Sequence, residues 1–249
     1  MREAELKGRD QIEIYPYGES AVRIEFGKGI DPEINRKVRA LTANLESEPF
    51  PGMIECVSAF TSVTVFYDLL AVRNMASPLS ESQSAYEIVS DLVRERAAGM
   101  ATEASGQART VEIPVCYGGS FGPDLAYVAE HNKLTPSEVI DIHTSGEYLV
   151  YMIGFAPGFP FLGGLSERIA TPRRSSPRLS IPAGSVGIAG KQTGVYPIVT
   201  PGGWQLIGST PLALFRPEHH PPSLLQAGDV VKFRAITPAQ YEEFRGGRI

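Results

Sequence analysis

Apolar and polar residues alternate along positions 11–16 and again along 21–26, with Gly18 between them. A two-residue period predicts two strands joined by a turn. At Asp31 the period changes. Asp31 offers a side-chain acceptor at an N-cap and Pro32 brings a preset φ to the first helical position. Ile34, Val38, Leu41 and Leu45 then form one stripe, so 32–47 is predicted to be an amphipathic helix. Strands are expected at 53–58 and 62–67. A second helix is expected over 84–97, with Tyr86, Val89 and Val93 on one face. The order β-β-α-β-β-α predicts an N-terminal α+β two-layer domain over 1–97, with helices on one face of an antiparallel sheet.

Residues 98–108, AGMATEASGQA, have little to bury and form the expected linker. A strand at 110–115 and a helix at 124–133 follow. Thr135-Pro136-Ser137-Glu138 reads as a capping box with Pro at the first helical position, starting a short helix that runs to about His143. A strand is expected at 148–153, and another at 230–236 after the turn Ala227-Gly228-Asp229. Between Gly154 and Pro217 the pattern changes again: 11 Gly and 9 Pro fall within 64 residues. They alternate with Phe155, Phe159, Phe161, Leu165, Ile181, Val186, Ile188, Tyr196 and Trp204, which a disordered tract would lack. Short strands joined by tight turns are therefore expected, making 109–249 a mainly β barrel or sandwich.

Composition narrows the class. The chain has 249 residues, a formal net charge of −5 and no long basic run, which argues against nucleic acid as a partner. Its apolar runs are too short for a transmembrane helix, and MREAELKGRD carries no apolar signal region, so a cytoplasmic location with no membrane partner is expected. Cys56 and Cys116, 60 positions apart, suit a reduced protein without a disulfide scaffold. The segment GSVGIAGK, 184–191, has one residue too many between its outer glycines for a phosphate loop, and Gln192 stands where Ser or Thr is needed for Mg²⁺. Gly-x-Ser-x-Gly is absent. His131, His143, His219 and His220 form no helical metal pair, and no metal site is expected.

Within this frame a few residues carry candidate chemistry. Lys191, beside Gly190 in a glycine-rich turn, could approach an anionic or carbonyl oxygen closely, or else be a solvated turn lysine. Gln192, Thr193 and Tyr196 offer amide, hydroxyl and phenol groups to a small polar ring. Their bland reading is turn chemistry around a core tyrosine. His143, at the end of its helix, is expected to be favoured as a cation by the helix C-terminus and able to act as a general acid or base. The alternative there is a simple capping contact. Arg173, Arg174 and Arg178 place three guanidinium groups within six residues, a clamp for a carboxylate or phosphate, or else a solvated loop. Trp204 could line a pocket or fill the barrel core, and the core is the expected place.

YMIGFAPGFPFLGGL and TPRRSSPRLSIPAGSVGIAGKQTGVYPIVTPGGWQLIGSTPLALF closely resemble the signature of the 5-oxoprolinase B-subunit family. That family includes the kinase inhibitor KipI and the allophanate hydrolase subunit 1 domain. GESAVRIEFG, FTSVTVFYD, IPVCYGG and AGDVVKF extend the resemblance over about 11–236. It implies an N-terminal α+β domain and a C-terminal cyclophilin-like β-barrel. It further implies action with A and C subunits to open 5-oxoproline to glutamate using ATP, with Mg²⁺ accompanying the nucleotide at a shared or inter-subunit site and no tightly bound cofactor. By resemblance, the GKQTGVYP turn and the GFAPGF loop with Phe155 face that site, and His143 and Lys191 are its catalytic candidates. Two other readings stay open: a protein-binding inhibitor of a sensor histidine kinase, and a subunit acting on a urea- or allophanate-type amide.

Overall fold

The computed structural model describes residues 12–75, 83–99 and 108–246. The chain divides into two compact units, Met1–Gly106 and Gln107–Ile249. Most of the stretch expected to be a linker, 100–107, lies outside the described residues, and Ala98 and Gly99 belong to a helix.

In the first unit the order is β1 (Glu13–Pro16), β2 (Ala21–Glu25), α1 (Pro32–Ser47), β3 (Met53–Ser58), β4 (Ser62–Tyr67), α2 (Leu69–Met75) and α3 (Ala85–Gly99). The strands form an antiparallel sheet in the order β1-β2-β4-β3. Register explains the core. Ile24 pairs with Val63 and Val22 with Val65, so alternate positions of the two central strands point to one face. There they meet Val38, Leu41 and Leu45 of α1, Val72 of α2, and Val89 and Val93 of α3, all fully buried. Asp31 caps α1 by accepting from the Glu33 amide at 2.7 Å, with Pro32 following as expected. The short helix α2 is an addition to the expected order. It starts at Leu69, directly after Asp68, whose carboxylate accepts from the Ala71 amide at 2.7 Å.

The second unit contains β5 (Thr110–Tyr117), α4 (Leu125–His131), α5 (Pro136–Ser145), β6 (Tyr148–Ile153), β7 (Pro160–Gly163), β8 (Arg178–Ile181), β9 (Ser185–Ala189), β10 (Gln192–Val195), β11 (Thr200–Gly202), β12 (Gln205–Ser209), β13 (Val230–Ala235) and α6 (Pro238–Arg245). Seven strands close into a barrel in the order β10-β7-β6-β13-β5-β12-β9, while β8 and β11 form a separate two-stranded sheet. β13 runs parallel to β5, whereas the other barrel pairs are antiparallel. The expected mainly-β barrel is thus present. Its interior is packed by Ile113, Val115, Val150, Leu162, Val186, Ile188, Val195, Ile207 and Val231. Such a filled barrel leaves its chemistry to the outer face and the loops. α5 opens with the capping box: Thr135 accepts from the Glu138 amide, and Glu138 accepts from the Thr135 amide at 2.8 Å. Gly122 lets the turn before α4 lie directly on β12, since a Cβ there would stand 2.0 Å from the Ile207 carbonyl oxygen.

Candidate functional site

Strand alternation builds a second surface on the outside of the barrel. Val186 and Ile188 of β9 and Ile207 of β12 point inward, so Gly187, Ala189 and Leu206 point outward. Gly187 and Gly194 leave a shallow bed there. A Cβ on Gly194 would sit 3.0 Å from the Trp204 ring and 3.3 Å from Phe159. Phe159, Ile181, Ala189, Tyr196, Trp204 and Leu206 fill this bed as a separate buried cluster. Phe159 meets Tyr196 and Trp204 edge-on, at centroid distances of 5.8 and 5.9 Å. These spacings suit the ring quadrupoles. Trp204 is therefore buried as expected, but in the outer layer rather than inside the barrel.

Phe155 tops this layer from the loop between β6 and β7, edge-on to Phe159 at 5.4 Å. It is 70% exposed and its φ is 69°. An unbranched aromatic held in the left-handed region costs about 1–2 kcal/mol. Here both the ring and the strain are kept at the surface. Gly158, also at positive φ, closes the loop against Phe215, to whose Cβ an added methyl would approach within 2.9 Å.

The arginine-rich loop lies beside this layer. The Arg174 amide donates to the Gly203 carbonyl at 2.8 Å, and Gln205 Nε2 donates to the Pro172 carbonyl at 3.0 Å. Two of the three guanidinium groups do not face solvent as a clamp. Arg178 forks onto the Asp124 carboxylate at 2.8 and 2.9 Å, and Arg174 reaches the same group at 3.2 Å. Arg173 is exposed. Burial raises the Tyr196 phenol pKa, while a hydrogen bond from the Trp204 backbone and the positive charges of Arg173 and Arg178 oppose the rise. Asp124 was expected only as a helix start. Its partners lie 50 and 54 positions away, so no local spacing could have revealed this second role.

The expected polar turn is divided by the structure. Gln192–Val195 is strand β10, with Lys191 before it and Tyr196 after it. The four residues of β10, five steps along an extended chain, separate the two by about 16 Å, so they do not share a turn. Lys191 pairs with Glu167, both side chains largely exposed, and this bond holds the Glu167 carboxyl below its usual range. Gln192 is half-buried at the same end, where Gly190 bridges to Thr171. Thr193 points into the barrel and is fully buried.

His143 meets Thr193 there. It is fully buried, and its ring stacks on Phe233 of β13 at 4.5 Å. Thr193 donates its hydroxyl to the Gly187 carbonyl at 3.2 Å, so it accepts from His143 Nε2–H at 2.9 Å. Nδ1 is then the unprotonated nitrogen, accepting from the Tyr117 hydroxyl at 2.7 Å. The ring thus ties β5 to β10 across the lumen, and the Tyr148 hydroxyl donates to the His143 carbonyl at 2.7 Å. Burial drives the imidazole pKa down to about 3. This corrects the expected cation: desolvation outweighs the pull of the helix C-terminus.

The glycine-rich stretch 184–191 is strand β9 with its flanking turns; it does not lead into a helix N-terminus, so it presents no cradle of amides to a phosphate. Among the described residues, no group of three acidic, His or Cys side chains could hold a metal.

The family model for the carboxyltransferase domain, subdomain C and D, matches residues 12–225. The chain is 60% identical over 236 residues to the B subunit of the 5-oxoprolinase of Bacillus subtilis (strain 168), covering 94% of this chain and 97% of that one. The chain belongs to the 5-oxoprolinase B-subunit family. Two solved structures agree with this membership. TTHA0988 matches with a TM-score of 0.74 at 35% identity, covering 87% of this chain but only 40% of its own. PH0987 from Pyrococcus horikoshii, 46% identical, covers 92% of this chain and 100% of its own with a TM-score of 0.53. A family member of this length therefore corresponds to less than half of the longer TTHA0988 chain. Among the described residues, no helix is long and apolar enough to cross a membrane.

Proposed function

We propose that this chain is the B subunit of an ATP-dependent enzyme that opens 5-oxoproline to glutamate, acting with A and C subunits. The observation that carries the reading is the 60% identity across nearly the full length of a 5-oxoprolinase B subunit. The overall reaction consumes 5-oxoproline, ATP and two waters and yields glutamate, ADP and phosphate. ATP with its Mg²⁺ is handled by a partner subunit or at a shared site, a reading supported by the glycine-rich stretch 184–191 being a strand with its turns and not a phosphate loop, and the isolated chain is inactive.

The residues divide the work by position. The aromatic layer under Phe155 gives a small cyclic amide an apolar wall, and the arginine loop beside it supplies positive charge. Lys191, paired with Glu167 on an exposed turn, can swing towards a carbonyl oxygen on which negative charge develops. His143 stays neutral and positions β10 instead of transferring protons.

The test is to express the chain with its A and C subunits and follow glutamate release from 5-oxoproline. Release that needs ATP and all three chains supports the proposal. ATP-dependent release by the A and C subunits alone, at the full rate, would refute it.

A further inference from the structure

We propose that Arg173 is the guanidinium that reads the substrate's carboxylate, and that Asp124 is the positioning residue that holds it in place. This rests on the function proposed above and assigns distinct tasks to three arginines that look equivalent in sequence.

Asp124 is 6% exposed and uses all its acceptor capacity inside the protein. One oxygen takes Arg174 Nη1 at 3.2 Å and Arg178 Nη2 at 2.8 Å. The other takes Arg178 Nη1 at 2.9 Å and the Leu206 amide at 2.7 Å. Asp124 stands at the N-cap of α4 yet makes no side-chain cap bond there. This carboxylate therefore serves the loop and not the helix.

The consequence falls on Arg173. Its neighbours on both sides are tied down: the Pro172 carbonyl by Gln205, the Arg174 amide by Gly203, and the Arg174 side chain by Asp124. The Arg173 side chain is exposed and, among the described residues, forms no ion pair or hydrogen bond. Its charge bears on Tyr196 in the aromatic layer. A guanidinium on a fixed backbone, with its two-pronged edge open to solvent, is preorganised for a carboxylate. Arg174 and Arg178 already have theirs. Lys191 is paired to Glu167.

The experiment compares 5-oxoproline with 5-oxoprolinamide, which keeps the ring and lacks the anion, as substrates of the complete three-subunit complex. The wild-type complex should favour the acid by kcat/KM. Arg173→Gln should raise KM for the acid roughly 10- to 100-fold, with little change in kcat, and abolish the preference; Arg173→Lys should recover part of it. Asp124→Asn should lower the same preference although Arg173 is intact, and Asp124→Glu less so, each with native Trp204 fluorescence confirming the fold. An acid-to-amide ratio unchanged by Arg173→Gln overturns the proposal. A ratio unchanged in a folded Asp124 variant overturns the positioning role. A wild-type complex that makes no glutamate would instead refute the function on which both rest.

Discussion

His143 makes stability depend on pH in a way that can be worked out in advance. In the unfolded chain its imidazole titrates near 6.5; in the barrel its pKa is about 3. The folded state therefore favours the neutral ring. Its contribution is complete above pH 6.5 and is lost as pH falls from 6.5 towards 3, because the unfolded chain takes up a proton that the barrel excludes. From pH 7 to pH 4.5 this one residue should remove about 2–3 kcal/mol. His143→Gln cannot titrate. It should cost about 2–4 kcal/mol at pH 7, since Tyr117 loses its acceptor and the ring leaves a gap beside Phe233. Lowering the pH should then narrow the difference between wild type and variant by about 2–3 kcal/mol. Carboxylates titrate alike in both and cancel. Urea unfolding followed by Trp204, the only tryptophan and a barrel residue, provides the assay. A stability difference that stays constant from pH 7 to 4.5 would refute a buried neutral imidazole.

Three other substitutions probe the surroundings. Gly122→Ala drives a methyl into the β12 backbone, 2.0 Å from the Ile207 carbonyl oxygen. It should cost about 3 kcal/mol or more in urea unfolding; a loss below about 1 kcal/mol would contradict this packing. Phe155→Gly relieves the left-handed backbone and gives up one ring contact. Stability should change by no more than about 1 kcal/mol while glutamate release by the complex falls; an undiminished rate would remove Phe155 from the site. Lys191→Ala breaks only an exposed pair, so thermal unfolding should be unchanged to within about 0.5 kcal/mol. A lower kcat in the complex would support its role at the oxyanion, and an unaltered kcat would exclude it.

Features set by neighbours in sequence were legible beforehand. Asp31-Pro32 and the Thr135–Glu138 box start their helices where the sequence places them, and the stripe Val38, Leu41, Leu45 faces the sheet. α6 is open to the same reading through Thr237, Pro238 and Gln240, which form a second capping box. α2 is seven residues long and buries only Val72, too little for an amphipathic stripe to show. The parallel pairing of β13 with β5 joins residues about 120 positions apart, which periodicity cannot register. The site divides along the same line. Clustering of turn residues between 154 and 217 marked the region proposed for the site, and Phe155 and the arginines lie in that stretch. Alternation within β10 then sends Thr193 inward to His143, and a distant carboxylate at Asp124 claims Arg174 and Arg178. Burial and long-range ion pairing decide which of several similar side chains remain available to a substrate, and neither is written in local spacing.

The most direct measurement is an exchange of one component. In a 5-oxoprolinase complex assembled from Bacillus subtilis subunits, the native B subunit is removed and this chain, 60% identical to it, is supplied instead. ATP-dependent glutamate release from 5-oxoproline is then followed. Recovery of the reaction, abolished again when this chain is withheld, is the predicted result. A complex that is active with its native component, yet silent with this chain folded and bound in its place, would contradict the account.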